Sequence, residues 1–145
     1  MSLSGKKYGN ALVFTLDLQG GGTPTDISAW VKSVDGLPAE HDMGDVTTGG
    51  SLGYKWLRGL PKATITLECV FDDAANSAWS IVSNFKTDTT TRSFVYGPAG
   101  STSGYVKVTG ELDIVDVKLN AKTTDPLMFT IKANLSGADT VGVYT

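Results

Sequence analysis

Apolar and polar residues alternate along several stretches of the chain. Leu12, Phe14, Leu16 and Leu18 point one way while Val13, Thr15 and Asp17 point the other, which predicts a half-buried strand over residues 11–18. The glycine run Gly20-Gly21-Gly22 ends it in a turn. A short second strand is expected over 29–34, opened by the turn formers Asp26 and Ser28 and closed by Asp35-Gly36. The clearest alternation is Ala63, Ile65, Leu67, Cys69 and Phe71 against Thr64, Thr66 and Glu68. Asp72-Asp73 then offers an N-cap, and Ala75, Ala78, Trp79, Val82 and Phe85 fall at helical spacing, which predicts one amphipathic helix over 74–86. A strand at 93–96 is stopped by Gly97-Pro98-Ala99-Gly100, and a longer one begins near Tyr105. Within 112–119 the alternation changes phase between Ile114 and Val115, as a β-bulge requires, and Leu127 to Leu135 alternate once more. About seven strands and one helix make a mainly β chain, an antiparallel β-sandwich or barrel with one flanking α-helix.

Residues 36–59 break this regularity. They hold six glycines, carry no apolar period and gather Tyr54, Trp56 and Leu57 near their end, so an extended loop or loose hairpin is expected. Asp35, Glu40, Asp42 and Asp45 occupy its first limb, while Lys55, Arg58 and Lys62 occupy or follow the second. Such a pattern suits either pairing inside a hairpin or contact with the next copy of the chain in a head-to-tail assembly. Asp42, Asp45, Tyr54, Lys55, Trp56 and Arg58 are the candidate inter-subunit contact residues.

Composition narrows the possibilities. The 145 residues are one domain's worth of chain, 1–145, with a flexible N-terminus expected over 1–8. Eighteen threonines and 17 glycines agree with strands and turns rather than helix. Fifteen acidic against 12 basic residues give a net charge of −3, which argues against general attraction to nucleic acid or anionic membrane. No apolar run approaches the roughly 20 residues that span a bilayer as a helix, and the first residues do not read as a secretory signal, so synthesis in the cytosol is expected. The single cysteine, Cys69, permits no internal disulfide and no cysteine zinc cluster.

Catalytic chemistry finds little footing. The one histidine, His41, lies between Glu40 and Asp42 but has no G-x-S-x-G serine and no second histidine, so it reads as a solvated residue. Asp42 with Asp45, and Asp113 with Asp116, lack calcium-loop spacing and read as solvated charge. No catalytic, metal or cofactor site is expected. Trp30 reads as core, whereas Tyr54 and Trp56 in a polar stretch suit a partner surface or a sugar-stacking platform.

In order along the chain, Asp26-Ile27-Ser28-Ala29-Trp30-Val31, Asp45-Val46-Thr47-Thr48-Gly49, Gly59 to Leu67, Phe94 to Gly100 and Tyr105 to Glu111 form a pattern that resembles the tail tube (major tail) proteins of long-tailed, siphovirus-type bacteriophages, over about residues 10–143. The resemblance implies a β-sandwich with a flanking helix that assembles with itself into stacked hexameric rings. It further implies a conduit through which DNA passes without specific binding, with tape-measure and tail-tip or terminator proteins as further partners. Such a protein resides in the virion tail, and in the host cytoplasm during assembly, and has no enzyme activity. The related tube of type VI secretion systems shares the architecture, and a carbohydrate-binding or adhesin β-sandwich is the alternative of another class.

Overall fold

A strand with one face to bury needs a core to meet, and nearly every alternating segment finds one. The computed structural model describes residues 11–17, 24–50 and 52–145. Its strands are β1 (Val13–Leu16), β2 (Thr25–Asp26), β3 (Val31–Asp35), β4 (Glu40–Asp45), β5 (Trp56–Lys62), β6 (Thr64–Val70), β7 (Arg92–Gly97), β8 (Val106–Asn120) and β9 (Met128–Val143). A short helix α1 (Ala78–Val82) and a 3-10 turn (Phe85–Thr87) lie between β6 and β7. Seven strands form one sheet in the order β2-β1-β7-β8-β9-β6-β3, and β4 pairs with β5 in a separate ribbon. Every pairing is antiparallel.

The long strands β8 and β9 are the spine of a curled sheet. The first half of β8 pairs with β7, while the first half of β9 pairs with β6. Both halves turn their apolar residues to one core: Phe14, Leu16, Phe94, Val108 and Leu112 from one, Ile65, Leu67, Cys69, Phe129, Ile131 and Ala133 from the other. Ala78, Ile81 and Val82 of α1 complete it, and Trp79 sets its ring edge against Phe129 at 5.5 Å. This is the expected mainly β, antiparallel architecture with one flanking helix.

Several details differ from expectation. The helix spans five residues rather than 74–86, because Asp72 accepts from the Ala74 amide in a tight turn and Asn76 adopts a φ of 62°. Ser77, not the Asp72-Asp73 pair, is the N-cap, its Oγ accepting from the Ser80 amide. The final strand runs to Val143 rather than Leu135, past an irregularity at Gly137, Ala138 and Asp139. The phase change at Val115 is a register shift between Ile114 and Asp116, as the sequence predicts. The strand end at Leu18, the turn at Gly20-Gly21-Gly22 and the N-terminal segment 1–8 lie outside the described residues.

Candidate assembly surface

Residues 36–59 are not a structureless loop. β3 leads through a four-residue kink into β4, and β5 leads through Ala63 alone into β6, so one long hairpin leaves the sheet as an arm made of β4 and β5. Glu40 opposes Lys62, His41 opposes Pro61, Met43 opposes Arg58, Gly44 opposes Leu57 and Asp45 opposes Trp56. Between His41 and Met43 the register shifts, so that Asp42 faces both Gly59 and Leu60. Sequence periodicity fails here for a physical reason: neither face of the ribbon meets the core, so selection for alternation is absent.

Local chemistry holds the arm together. The Thr47 hydroxyl, together with the Thr47 amide that donates to the Asp45 carboxylate at 2.9 Å, holds the Asp45 pKa below the ordinary 3.8. The Val46 amide donates to the Lys55 carbonyl at 2.9 Å, and the Lys55 amide donates to Thr47 Oγ1 at 2.9 Å. His41 Nδ1 lies 3.0 Å from the Gly59 carbonyl oxygen. A Cβ on Gly59 would sit 3.0 Å from the Asp42 carbonyl oxygen, so only glycine lets the two strands come this close without adjustment.

The arm leaves a large apolar surface uncovered. Tyr54 is 82% exposed and Trp56 55%, and Leu57, Leu60, Met43 and Leu52 are exposed beside them. Exposed apolar side chains grouped on one projecting element form a patch of the kind found at partner surfaces. Met43, Asp45, Trp56 and Arg58 are cross-strand partners on one face of the ribbon, so apolar and charged groups are interleaved there. Each of the six candidate contact residues falls on the arm. Leu57 is picked out by sequence with Tyr54 and Trp56 but is not among the six candidates, and Met43, Leu52 and Leu60 are not picked out, although an apolar side chain in a glycine-rich polar stretch is the signal that finds them.

Further unpaired surface lies on the sheet. Among the described residues, Asp113–Asn120 of β8 pair only with β9, and Ser136–Val143 of β9 pair only with β8. Val115, Leu119, Val141 and Val143 are exposed along these open edges. Open edges with apolar side chains invite pairing with another chain. Away from the core, Thr66, Lys132 and Asp116 form one cross-strand row and Glu68, Thr130 and Lys118 the next. This outer face is therefore polar and carries both signs of charge.

The remaining candidates for chemistry are dispersed. Cys69 is buried, which pushes its thiol pKa up to about 12. Asp116 pairs with Lys118 at 3.7 Å, while Asp113 stands opposite Asn134. Trp30 packs against the core and donates its Nε1 hydrogen to Asp72 at 2.9 Å. Among the described residues no cluster of histidine, cysteine and carboxylate side chains has metal-binding geometry.

No family model matches the chain, and no curated protein matches it. Solved structures do. One is the tail of an empty gene transfer agent particle refined with C6 symmetry, whose subunit superposes with a TM-score of 0.75 at 20% identity over 95% of this chain and 100% of that one. The SPP1 tail tube protein superposes with a TM-score of 0.76 at 6% identity, over 95% of this chain and 80% of that one. The cap that terminates the anti-feeding prophage tube gives 0.65 at 12% identity, over 99% and 95%. At such identities the likeness is one of fold, and the fold is that of tail tube proteins.

Proposed function

We propose that this chain is a structural tail tube subunit that assembles with itself into stacked hexameric rings, forming the conduit through which DNA passes. One observation supports the reading: a fold shared with tail tubes over almost the whole chain here bears a projecting arm whose Tyr54, Trp56, Leu57 and Leu60 are left exposed among the described residues. An isolated domain gains nothing from such an arm, whereas a head-to-tail assembly buries it at every repeat. The open edges of β8 and β9 give the same chain lateral surfaces for ring closure. The C6 symmetry of the gene transfer agent tail supports six copies per ring.

Asp42, Asp45, Tyr54, Lys55, Trp56 and Arg58 are the arm residues assigned to contact between subunits. The acidic balance of the chain suits a conduit, because each cation set against a phosphate would add affinity and hold the cargo. A tape-measure protein and a tail-tip or terminator protein are the further partners, in the virion tail and, before it is complete, in the host cytoplasm. The terminating cap of the anti-feeding prophage has the same fold, which supports a terminator that continues the stack. The role asks for surfaces and not for a reacting centre, so no catalysis is assigned.

Sedimentation tests the reading. The chain should form species of six or more copies, and the variant Tyr54→Ser/Trp56→Ser/Leu60→Ser should remain folded and monomeric. A wild-type chain that stays monomeric at every accessible concentration would contradict the proposal.

A further inference from the structure

The geometry points to Asp139 as the positioning residue that sets the angle of the arm. In β9, Thr140 pairs with Thr109 and Ser136 with Glu111, so Gly137, Ala138 and Asp139 stand opposite the single residue Gly110. Gly137 has a φ of 80°, in the left-handed region open to glycine, and the excursion swings Asp139 out of the ladder. Its Oδ2 accepts a hydrogen bond from the Ala39 amide at 3.0 Å, in a half-buried site between residues 100 positions apart. Ala39 is the last residue before the arm begins, and its amide lies outside the β4–β5 ladder.

The two limbs of the arm are thus both tied to β9, by different means. On the β5 side the tie is a backbone bond: the Leu135 amide donates to the Ala63 carbonyl at 3.0 Å. On the β4 side it is a carboxylate, and a bond to a charged acceptor is the stronger kind. Between Asp35 and Ala39 the chain has little other freedom. Gly36 has a φ of 99°, and a Cβ there would fall 2.1 Å from the Thr64 carbonyl oxygen. With one limb fixed by backbone, the side chain on the other decides how far the ribbon leans. A ribbon held at one angle presents Trp56 and Leu57 ready for contact and lowers the ordering cost of each new copy. This last consequence rests on the tube reading; the fixed angle does not.

The test compares Asp139→Leu, which removes the acceptor, with Asp139→Asn, which keeps one. Spin labels at Leu57→Cys on the arm and Thr123→Cys on the β8–β9 turn report the angle in free subunits by pulsed dipolar spectroscopy. Buried Cys69 takes no label. Wild type and Asp139→Asn should give one narrow distance distribution, and Asp139→Leu a clearly broader one. Tube growth of the unlabelled chains should fall about tenfold or more for Asp139→Leu and little for Asp139→Asn, the scale of one lost bond to a charged group. An unchanged narrow distribution in Asp139→Leu, or equal broadening in both variants, would overturn the assignment. Asp139→Ala, which adds no bulk, gives the same reading if the leucine variant does not fold. A wild type that never forms tubes would sink the tube reading alone, since the distances still decide the role of Asp139.

Discussion

Lys62 Nζ lies 2.7 Å from the Asp42 carboxylate, bridging the two limbs of the arm at its base. That ion pair, with Glu40 nearby, raises the Lys62 pKa above its ordinary 10.5, so the lysine stays charged at any physiological pH. The charge gradient along the arm is therefore partly internal.

Arg58 differs from Lys62, because it stands opposite Met43 and makes no ion pair among the described residues. An exposed charge of this kind contributes little to the fold, while like charges placed together at a repeated contact cost far more. Arg58→Glu should leave the thermal midpoint of the free subunit within a few degrees of wild type and stop tube elongation at low salt. Lys62→Glu should loosen the arm in the free subunit as well, read as faster hydrogen exchange at β4 and β5. Normal polymerisation of Arg58→Glu would remove electrostatics from the arm and leave its apolar residues as the contact.

Arg92 is the one fully buried cation among the described residues, and all its donor nitrogens are bound. Nε and Nη2 each reach the Asp88 carboxylate at 2.8 Å, Nη1 donates to the Ile81 carbonyl at 2.8 Å, and Nη2 donates to Asn84 Oδ1 at 3.1 Å. The cluster ties the end of α1 and the 3-10 turn to the start of β7. Asp88→Ala leaves a buried guanidinium without its counter-charge and should cost about 3–5 kcal/mol in urea unfolding. Arg92→Met/Asp88→Ala should recover part of that loss, since no charge is then left unpaired. An Asp88→Ala variant as stable as wild type would show that the carbonyls alone satisfy the arginine.

Acid should act through Asp72. The Ala74 amide and Trp30 Nε1 both donate to its carboxylate and hold its pKa below the ordinary 3.8. The folded chain then binds this proton less readily than the unfolded chain. The stabilisation is present above pH 3.8 and is lost as pH falls through the lowered folded value. Asp72→Asn cannot titrate and keeps one acceptor oxygen for the two donors, so its thermal midpoint should lie below wild type at neutral pH while its further fall below pH 3.8 should be shallower. Superimposable midpoint curves for the two chains would assign the acid sensitivity to other carboxylates.

What could be read from sequence follows burial. β6 is legible because Ile65, Leu67 and Cys69 enter the core while Thr64, Thr66 and Glu68 do not, and Val115 is legible because a bulge shifts the phase of everything after it. The helix is shorter than the spacing predicts, since Ala75, Ala78, Trp79, Val82 and Phe85 keep helical spacing across a turn, a short helix and a 3-10 turn in succession. The arm carries no alternation because no face of β4 or β5 is buried, so its sequence supports no more than the loop or loose hairpin expected there. Their glycines and aromatics in a polar stretch nonetheless set the segment apart from the core strands. Asp139 bonds Ala39 across 100 positions and Arg92 bonds the Asp17 carbonyl across 75, and no local pattern announces such pairs.

Electron microscopy of the purified, concentrated chain tests the central claim most directly. Six-fold rings stacking into tubes, with the arm of each subunit packed against a neighbouring copy, are the expected result. A uniform population of single subunits, with Tyr54, Trp56 and Leu60 still open to solvent under the same conditions, would contradict it.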